Sequence, residues 1–373
     1  MSEKTVADLA RAMEAIAPTR FAEPWDNVGL LLGDPDADLA GGVLLAIDLT
    51  PAVLAEAKAS RVAAVVAYHP PIFKGVKSLV AGSVDTGVVF EAARSGLAIY
   101  SPHTALDVAA GGTNDVLADC IYLTERSPLK PNSTGDGELK LVTFIPTDKA
   151  DAVVDRLFAA GAGHVGDYKE ASFQSIGTGT FHGTSGTNPQ YGQAGRRERV
   201  EELRVEMLVP RGREAAIVAA LKAAHPYEEV AFDLIRRAEV AQGVGLGRIG
   251  DFEEPVPRAV LIGRLRREIG VSHVLVAGSD SGEVTRVAVC AGSCGGDMLD
   301  LAARRGAEFY VTGELRHHDA LRATRLGMTA VCVLHSNSER CTLDRLAKRL
   351  ADDLNVLVQV SEEDRDPFRV LGG

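Results

Sequence analysis

The sequence has little that would hold it in a membrane, draw it to nucleic acid or staple it covalently. No apolar run approaches the roughly 20 residues of a membrane span, and Met1-Ser-Glu-Lys-Thr5 lacks the charged and apolar grading of a signal peptide. A cytoplasmic location is expected. Positive charge is in deficit: 40 Lys and Arg against 51 Asp and Glu leave a net charge of −11. That is the wrong sign for a protein whose affinity would come from neutralising phosphates, so neither membrane nor nucleic-acid partners are expected. The five cysteines, at 120, 290, 294, 332 and 341, form no CxxC pair, and Cys290 and Cys332 lie in apolar runs. All five are expected as reduced thiols in or near the core. There is one tryptophan, Trp25, expected to plug the core.

What is present is enough apolar material for a full core: 46% of 373 residues, a length that fits two or three domains. Val6, Leu9, Ala10, Met13 and Ile16 recur at helical spacing until Pro18 ends the pattern. A strand at Val43–Ile47, a helix from Pro51 to about Ala59 and a strand at Ala63–Ala67 follow within 30 residues and call for a parallel sheet. The unit recurs, with a helix over 86–95 and a strand over 97–100.

From about Glu138 an internal repeat begins. Leu141–Pro146 with a helix through Leu157 matches Val205–Pro210 with a helix through Leu221, and each half adds a further strand. Doubling a βαβ unit gives a ferredoxin-like α+β sandwich over residues 138–240. Between the halves, Gly177–Gly195 reads as an exposed loop. The α/β pattern then resumes, so the core is expected from residues 1–130 and 241–373 around this insert. Gly243–Gly250 spells GxGxxG, but Asp251-Phe-Glu-Glu-Pro255 follows where a dinucleotide fingerprint needs a helix.

The chemistry sits just past predicted strands. His69, His103 with Asp107, Glu314, and His335 with Glu339 all fall there, and a parallel sheet brings such ends to one edge. His103/Asp107 and His335/Glu339 are each four residues apart, which puts both side chains on one face of a helical turn. Imidazoles and carboxylates suit zinc, iron, manganese, nickel or cobalt, and six groups are enough for two ions sharing a carboxylate. His317 and His318 follow Glu314 by three and four residues, so that one of them faces the site as proton donor or substrate contact. His225, in His225-Pro-Tyr-Glu-Glu229, reads equally as a small-molecule contact or as a turn residue capping the preceding helix.

Six segments resemble the GTP cyclohydrolase 1 type 2 homologues, also called Ngg-one-interacting-factor-three-like proteins: Trp25-Asp-Asn-Val-Gly-Leu30, Tyr68-His-Pro-Pro-Ile-Phe73, Ser101-Pro-His-Thr-Ala-Leu-Asp107, Gly247-Arg-Ile-Gly250, Gly313-Glu314 with His317-His318, and His335-Ser-Asn-Ser-Glu339. The resemblance implies a two-lobed α/β core of mixed and parallel sheets, a dinuclear metal centre and a toroidal homohexamer. It implies His69, His103, Asp107, His335 and Glu339 as ligands of two divalent ions, and an inserted module similar in fold to PII and CutA proteins. Many members carry two histidines before the proline. Tyr68 stands in the first of those positions here, and a neutral phenol is a poor ligand, so one ion is expected to have a weaker or water-completed shell. Two functions are then in view. One is metal-dependent hydrolysis of a nucleotide-like or phosphorylated small molecule, with Asp107 or Glu339 bridging and Glu314 or His318 shuttling protons. The other is a non-enzymatic, metal-holding regulatory or adaptor protein with a PII-like ligand or partner module.

Overall fold

Helix α1 (Val6–Ile16) turns Val6, Leu9, Met13 and Ile16 inward, and Asp8 Oδ2 accepts the Thr5 backbone N–H at 2.9 Å at its start. The computed structural model describes residues 4–132, 139–165, 168–210, 212–237 and 243–370. After α1 come β1 (Gly29–Leu32), β2 (Val43–Ala46), α2 (Pro51–Ala59), β3 (Ala64–Ala67), α3 (Gly87–Arg94), β4 (Ala98–Ser101), α4 (His103–Val108), α5 (Thr113–Asp119) and β5 (Arg126–Pro131). Then follow β6 (Leu139–Pro146), α6 (Ala150–Ala159), β7 (Ser172–His182), β8 (Arg197–Val209), α7 (Glu214–Ala224) and β9 (Phe232–Arg236). The chain closes through β10 (Gly245–Pro257), α8 (Arg258–Ile269), β11 (Leu275–Ala277), β12 (Glu283–Cys290), α9 (Gly295–Arg304), β13 (Phe309–Thr312), α10 (His317–Arg325), β14 (Thr329–Cys332), α11 (His335–Arg340), α12 (Leu343–Leu354) and β15 (Val358–Val360). Among the described residues no helix is long and apolar enough to cross a membrane.

The chain forms two compact units, Met1–Asn132 with Ala241–Gly373, and Ser133–Val240. The first holds two mixed sheets. One has the order β1-β4-β3-β2-β15, parallel except for β1. Its β2, β3 and β4 are buried end to end, because helices cover both faces: Leu9, Met13, Leu346 and Leu350 on one side, Val53, Ala57 and Ala92 on the other. The second sheet runs β11-β14-β13-β12-β10-β5, with parallel β12, β13 and β14 flanked by antiparallel edges. Leu117, Leu261 and Leu265 pack on one face and Leu299, Ala302 and Ala323 on the other. The glycine-rich Gly243–Gly250 stretch runs into β10 as a strand, and the next helix starts only at Arg258.

In the unit Ser133–Val240 the order is β-α-β-β-α-β and the strands lie β7-β8-β6-β9, all antiparallel. Val153, Leu157, Ile217 and Leu221 of the two helices pack on Leu141, Ile145, Val205 and Met207 of one sheet face. The expected loop at Gly177–Gly195 is shorter than its glycines imply. β7 stays paired with β8 as far as His182↔Arg197, since the β-branched Ile176, Thr178 and Thr180 alternate with the glycines and keep the strand extended.

One buried cation ties helices to sheet in the first unit. Arg248 of β10 is 1% exposed; its Nε and Nη2 donate to the two oxygens of Asp115 at 2.9 and 2.7 Å. The remaining N–H groups reach the carbonyls of Ala109, Gly243, Gly245 and Gly247. Burial alone would raise the Asp115 carboxyl, but pairing with Arg248 holds it below its ordinary value. Removing the cation leaves the buried carbonyls unmet and Asp115 with Arg126 alone, at 2.8 Å, as its cation. Arg248→Met is therefore expected to lower the unfolding free energy by about 3–5 kcal/mol in denaturant melts, and a loss below about 1 kcal/mol would contradict this role.

Candidate metal centre

The strand ends of the first unit deliver the candidate ligands. β3 leads into Tyr68 and His69, β4 into His103, β13 into Glu314 and β14 into His335. Two turns hold unfavourable backbone conformations to do so. His103 has φ +28° and Leu334, just before His335, has φ +71°, and such positions cost of order 1–3 kcal/mol each unless the surroundings impose them. The surroundings do: the His103 N–H donates to Tyr68 O at 3.2 Å, and the N–H of Val333 donates to Thr312 O at 3.1 Å.

His69, His335 and Glu339 converge, with one ligand atom from each lying within 4.8 Å of the others. Glu339 is the hub. Its Oε2 lies 3.2 Å from His69 Nε2 and its Oε1 lies 3.3 Å from His335 Nε2. His69 Nε2 and Glu339 Oε2 are buried and face only each other, without a well-formed hydrogen bond, an arrangement that a shared cation would satisfy. The far nitrogens are occupied by carboxylates. His69 Nδ1 is 2.9 Å from Asp48, His335 Nδ1 is 3.2 Å from Glu314 and His103 Nδ1 is 2.7 Å from Asp26. Metal-bound imidazoles are held in this way, the outer hydrogen bond fixing the tautomer and turning the other nitrogen to the ion.

The predicted residues are brought together to different degrees. His103 adjoins the cluster, its ring centroid 5.3 Å from that of His69. Asp107 is reached through Tyr68, whose buried hydroxyl donates to Asp107 and lies 2.8 Å from Thr113 Oγ1. His317 and His318 open α10, exposed, with their rings 5.3 Å apart. Among the described residues, neither makes a ring or polar contact with His69, His335 or Glu339.

The electrostatics favour positive charge. Burial works against the His69 cation, yet Asp48 and Glu339 outweigh it and raise its pKa to about 10. Glu339 raises His335 to about 9 against its burial, with help from Glu314. Burial and the neighbouring Glu339 charge raise Asp107 to about 6. Burial, with Asp107 and Glu339 beside it, holds the Tyr68 phenol well above its ordinary value, so Tyr68 serves as a hydrogen-bond donor to Asp107. Any ion entering here displaces protons from His69 and His335, so binding tightens as pH rises.

Several residues of the site were not read from the sequence, and two readings are corrected. Asp48 lies just past β2 and meets the same strand-end rule as the histidines; Asp26 sits in the Trp-Asp-Asn segment without periodicity to mark it. Trp25 is not a core plug. It is 59% exposed, 5.9 Å from Phe73 and 6.0 Å from His103 between ring centroids, because the turn it occupies is held outward by Asn27, whose side chain donates to Ile72 O. Nor are all the cysteines reduced: Cys290 and Cys294 form a disulfide, while Cys120, Cys332 and Cys341 are free. Gly292, with φ +68°, turns the chain back between them, and a Cβ there would fall 2.7 Å from Glu339 Oε1.

The sequence model of the family described as Duf34/NIF3 (NGG1p interacting factor 3) matches residues 4–367. Proteins named GTP cyclohydrolase 1 type 2 homolog are similar along most of the chain. That of Mycobacterium tuberculosis is 37% identical over 337 residues, covering 90% of this chain and 88% of its own. That of Bacillus subtilis is 32% identical over 368 residues, covering 97% and 98%. Among solved structures, a Bacillus cereus protein related to NIF3 is similar at a TM-score of 0.71 and 31% identity, and Staphylococcus aureus protein SA1388 at 0.81 and 27%, each with 100% of both chains covered.

Trp25, the one tryptophan of the chain, reports on the cluster through His103. Titrating Co²⁺ or Mn²⁺ into metal-stripped protein is expected to quench its emission saturably, and a His335→Ala/Glu339→Ala double variant to abolish the effect. Equal quenching in the variant would place the ion elsewhere.

Proposed function

The chain belongs to the Duf34/NIF3 family, and from that membership and the site's geometry we propose that it is a metal-dependent hydrolase of a nucleotide-like or phosphorylated small molecule. The observation that carries this reading is the convergence of His69 and His335, each held at its outer nitrogen by a carboxylate, on the buried Glu339, with His69 Nε2 and Glu339 Oε2 facing each other at 3.2 Å. One divalent ion would be held by His69, His335 and Glu339. A second would be held toward His103 and Asp107, with Glu339 or Asp107 shared. Bound there, such ions supply Lewis-acid activation of a water and of the substrate oxygen.

The chain's own groups would do the rest. Glu314, half exposed beside His335, would take a proton from the attacking water; His318, or failing it His317, would return one to the leaving group or contact the substrate. Tyr68 would keep Asp107 oriented. The exposed Trp25–Phe73 pair beside His103 offers an aromatic face to a planar ring, which favours a heterocyclic substrate. In this reading residues 138–240 are a PII/CutA-like module inserted between the core parts 1–130 and 241–373, and the protein is a cytosolic homo-oligomer, a toroidal hexamer by family resemblance.

The test is Glu314→Gln, assayed on nucleotides and phosphoesters with metal content measured in parallel. Turnover is expected to fall by roughly 10²- to 10⁴-fold with metal retained, and the pH–rate profile to lose its acidic limb. An absence of metal-dependent turnover by the parent across that panel would sink the hydrolase reading. It would leave a metal-holding regulatory or adaptor protein in its place.

A further inference from the structure

In the unit Ser133–Val240 the two helices cover only one face of the sheet, with Leu141, Ile145, Val205 and Met207 beneath them. Alternate residues point to the opposite face, as strand geometry requires. There a cavity of about 730 Å³ opens, lined among others by Phe144, Ser175, Gly177, Glu202, Arg204 and Tyr227. The register places Gly177 opposite Glu202 and Ser175 opposite Arg204 on β8, with Phe144 of β6 opposite Arg204 on the other side. Glycine inside a strand weakens it and often marks a close approach by something else. A Cβ at Gly177 would meet nothing within 4 Å, whereas one at Gly179 would fall 2.2 Å from Glu202 Oε2. The first glycine leaves open floor; the second lets the Glu202 carboxylate lie across the strand.

Glu202 is 8% exposed, and its Oε1 accepts the Tyr227 hydroxyl at 2.7 Å. Tyr227 in turn sits in an aromatic group, its ring 6.3 Å from Phe181 and 6.2 Å from Tyr191. The His225-Pro-Tyr-Glu-Glu229 turn holds it there. His225 Nε2 donates to Phe144 O at 3.0 Å, and its Nδ1 accepts the Tyr227 N–H at 3.1 Å. Both ring nitrogens are spent on backbone, so His225 positions the turn rather than touching a ligand. Glu228 and Glu229 from the same turn also line the cavity. Against these three carboxylates stands Arg204, whose guanidinium lies over the Phe144 ring and is bonded to Glu206 at 2.8 Å. The cavity therefore joins excess negative charge to aromatic faces.

We propose that this cavity binds a small organic cation, an ammonium or guanidinium group on an apolar body, with the charge on Glu202 and the body against Tyr227 and Phe181. Carboxylate and ring faces both attract such a group, the first by charge-assisted hydrogen bonds and the second through the ring quadrupole. The site belongs to the inserted unit alone and holds whether or not the metal centre turns over a substrate.

The test is calorimetry on the full-length protein at low salt with agmatine, spermidine and phenethylamine, and with AMP as an anionic comparator. At least one of the cations is expected to bind at one site per chain, more tightly than AMP. Glu202→Gln should weaken it by about tenfold or more. Glu229→Gln, an exposed change that leaves folding intact, should weaken it by a smaller factor, and decides the matter if Glu202→Gln melts early. The His335→Ala/Glu339→Ala variant should bind the cation as the parent does. No binding of any of the three cations, tighter binding of AMP, binding lost with the metal-centre variant, or binding unchanged by both glutamate substitutions would each overturn the proposal.

Discussion

The carboxylate of Glu339, buried where the two sheets of the first unit meet, sets the terms for everything around it. A buried carboxylate is costly unless positive charge or hydrogen bonds compensate it. Burial would raise the Glu339 pKa, yet His335 and His69 hold it below its ordinary value. Those two imidazoles come from different sheets, His69 after β3 and His335 after β14, so the contact is also a join. The left-handed backbone at Leu334 and His103 is understandable in these terms. The ends of short parallel strands do not of themselves aim side chains at one point, and local strain sustained by the packed sheets does so.

Around that hub lies a ring of acids in contact with the histidines. Asp48, Asp26 and Glu314 each hold one histidine by its outer nitrogen, and Tyr68 holds Asp107. A site rich in carboxylates and poor in fixed cations favours positive charge inside it: protons on His69 and His335 supply it, and a cation among His69, His335 and Glu339 could do the same. Gly292 matters for the same reason: any side chain there would enter the space beside Glu339.

Much of this was legible in the sequence because α/β folds encode it locally. Continuous apolar runs at Val43–Ile47 and Ala63–Ala67 marked strands buried on both faces, and histidines just beyond such runs marked the site edge. The four-residue spacing of His335 and Glu339 gave a shared helical face, and the structure makes them neighbours. Other features depend on contacts between distant segments and left no periodic trace. The pairing of Asp26 with His103 spans 77 residues, and the outward turn of Trp25 depends on Asn27 reaching Ile72. The Cys290–Cys294 link spans a left-handed glycine, Gly292, and is invisible to spacing rules built on CxxC. The glycines of β7 misled the reading toward a loop because composition weighs what a residue tolerates, whereas pairing with β8 decided the outcome.

The central claim is that His69, His335 and Glu339, with His103 and Asp107 beside them, hold metal. Elemental analysis of untagged protein, reconstituted with zinc, iron or manganese and freed of excess ion, tests it most directly, with the His335→Ala/Glu339→Ala variant alongside. The account predicts about two ions per parent chain, as a shared-carboxylate site requires, and a clear loss in the variant. One ion per chain would remove the second position at His103 and Asp107. No retained metal with any of the three ions, or equal retention in the variant, would contradict the account.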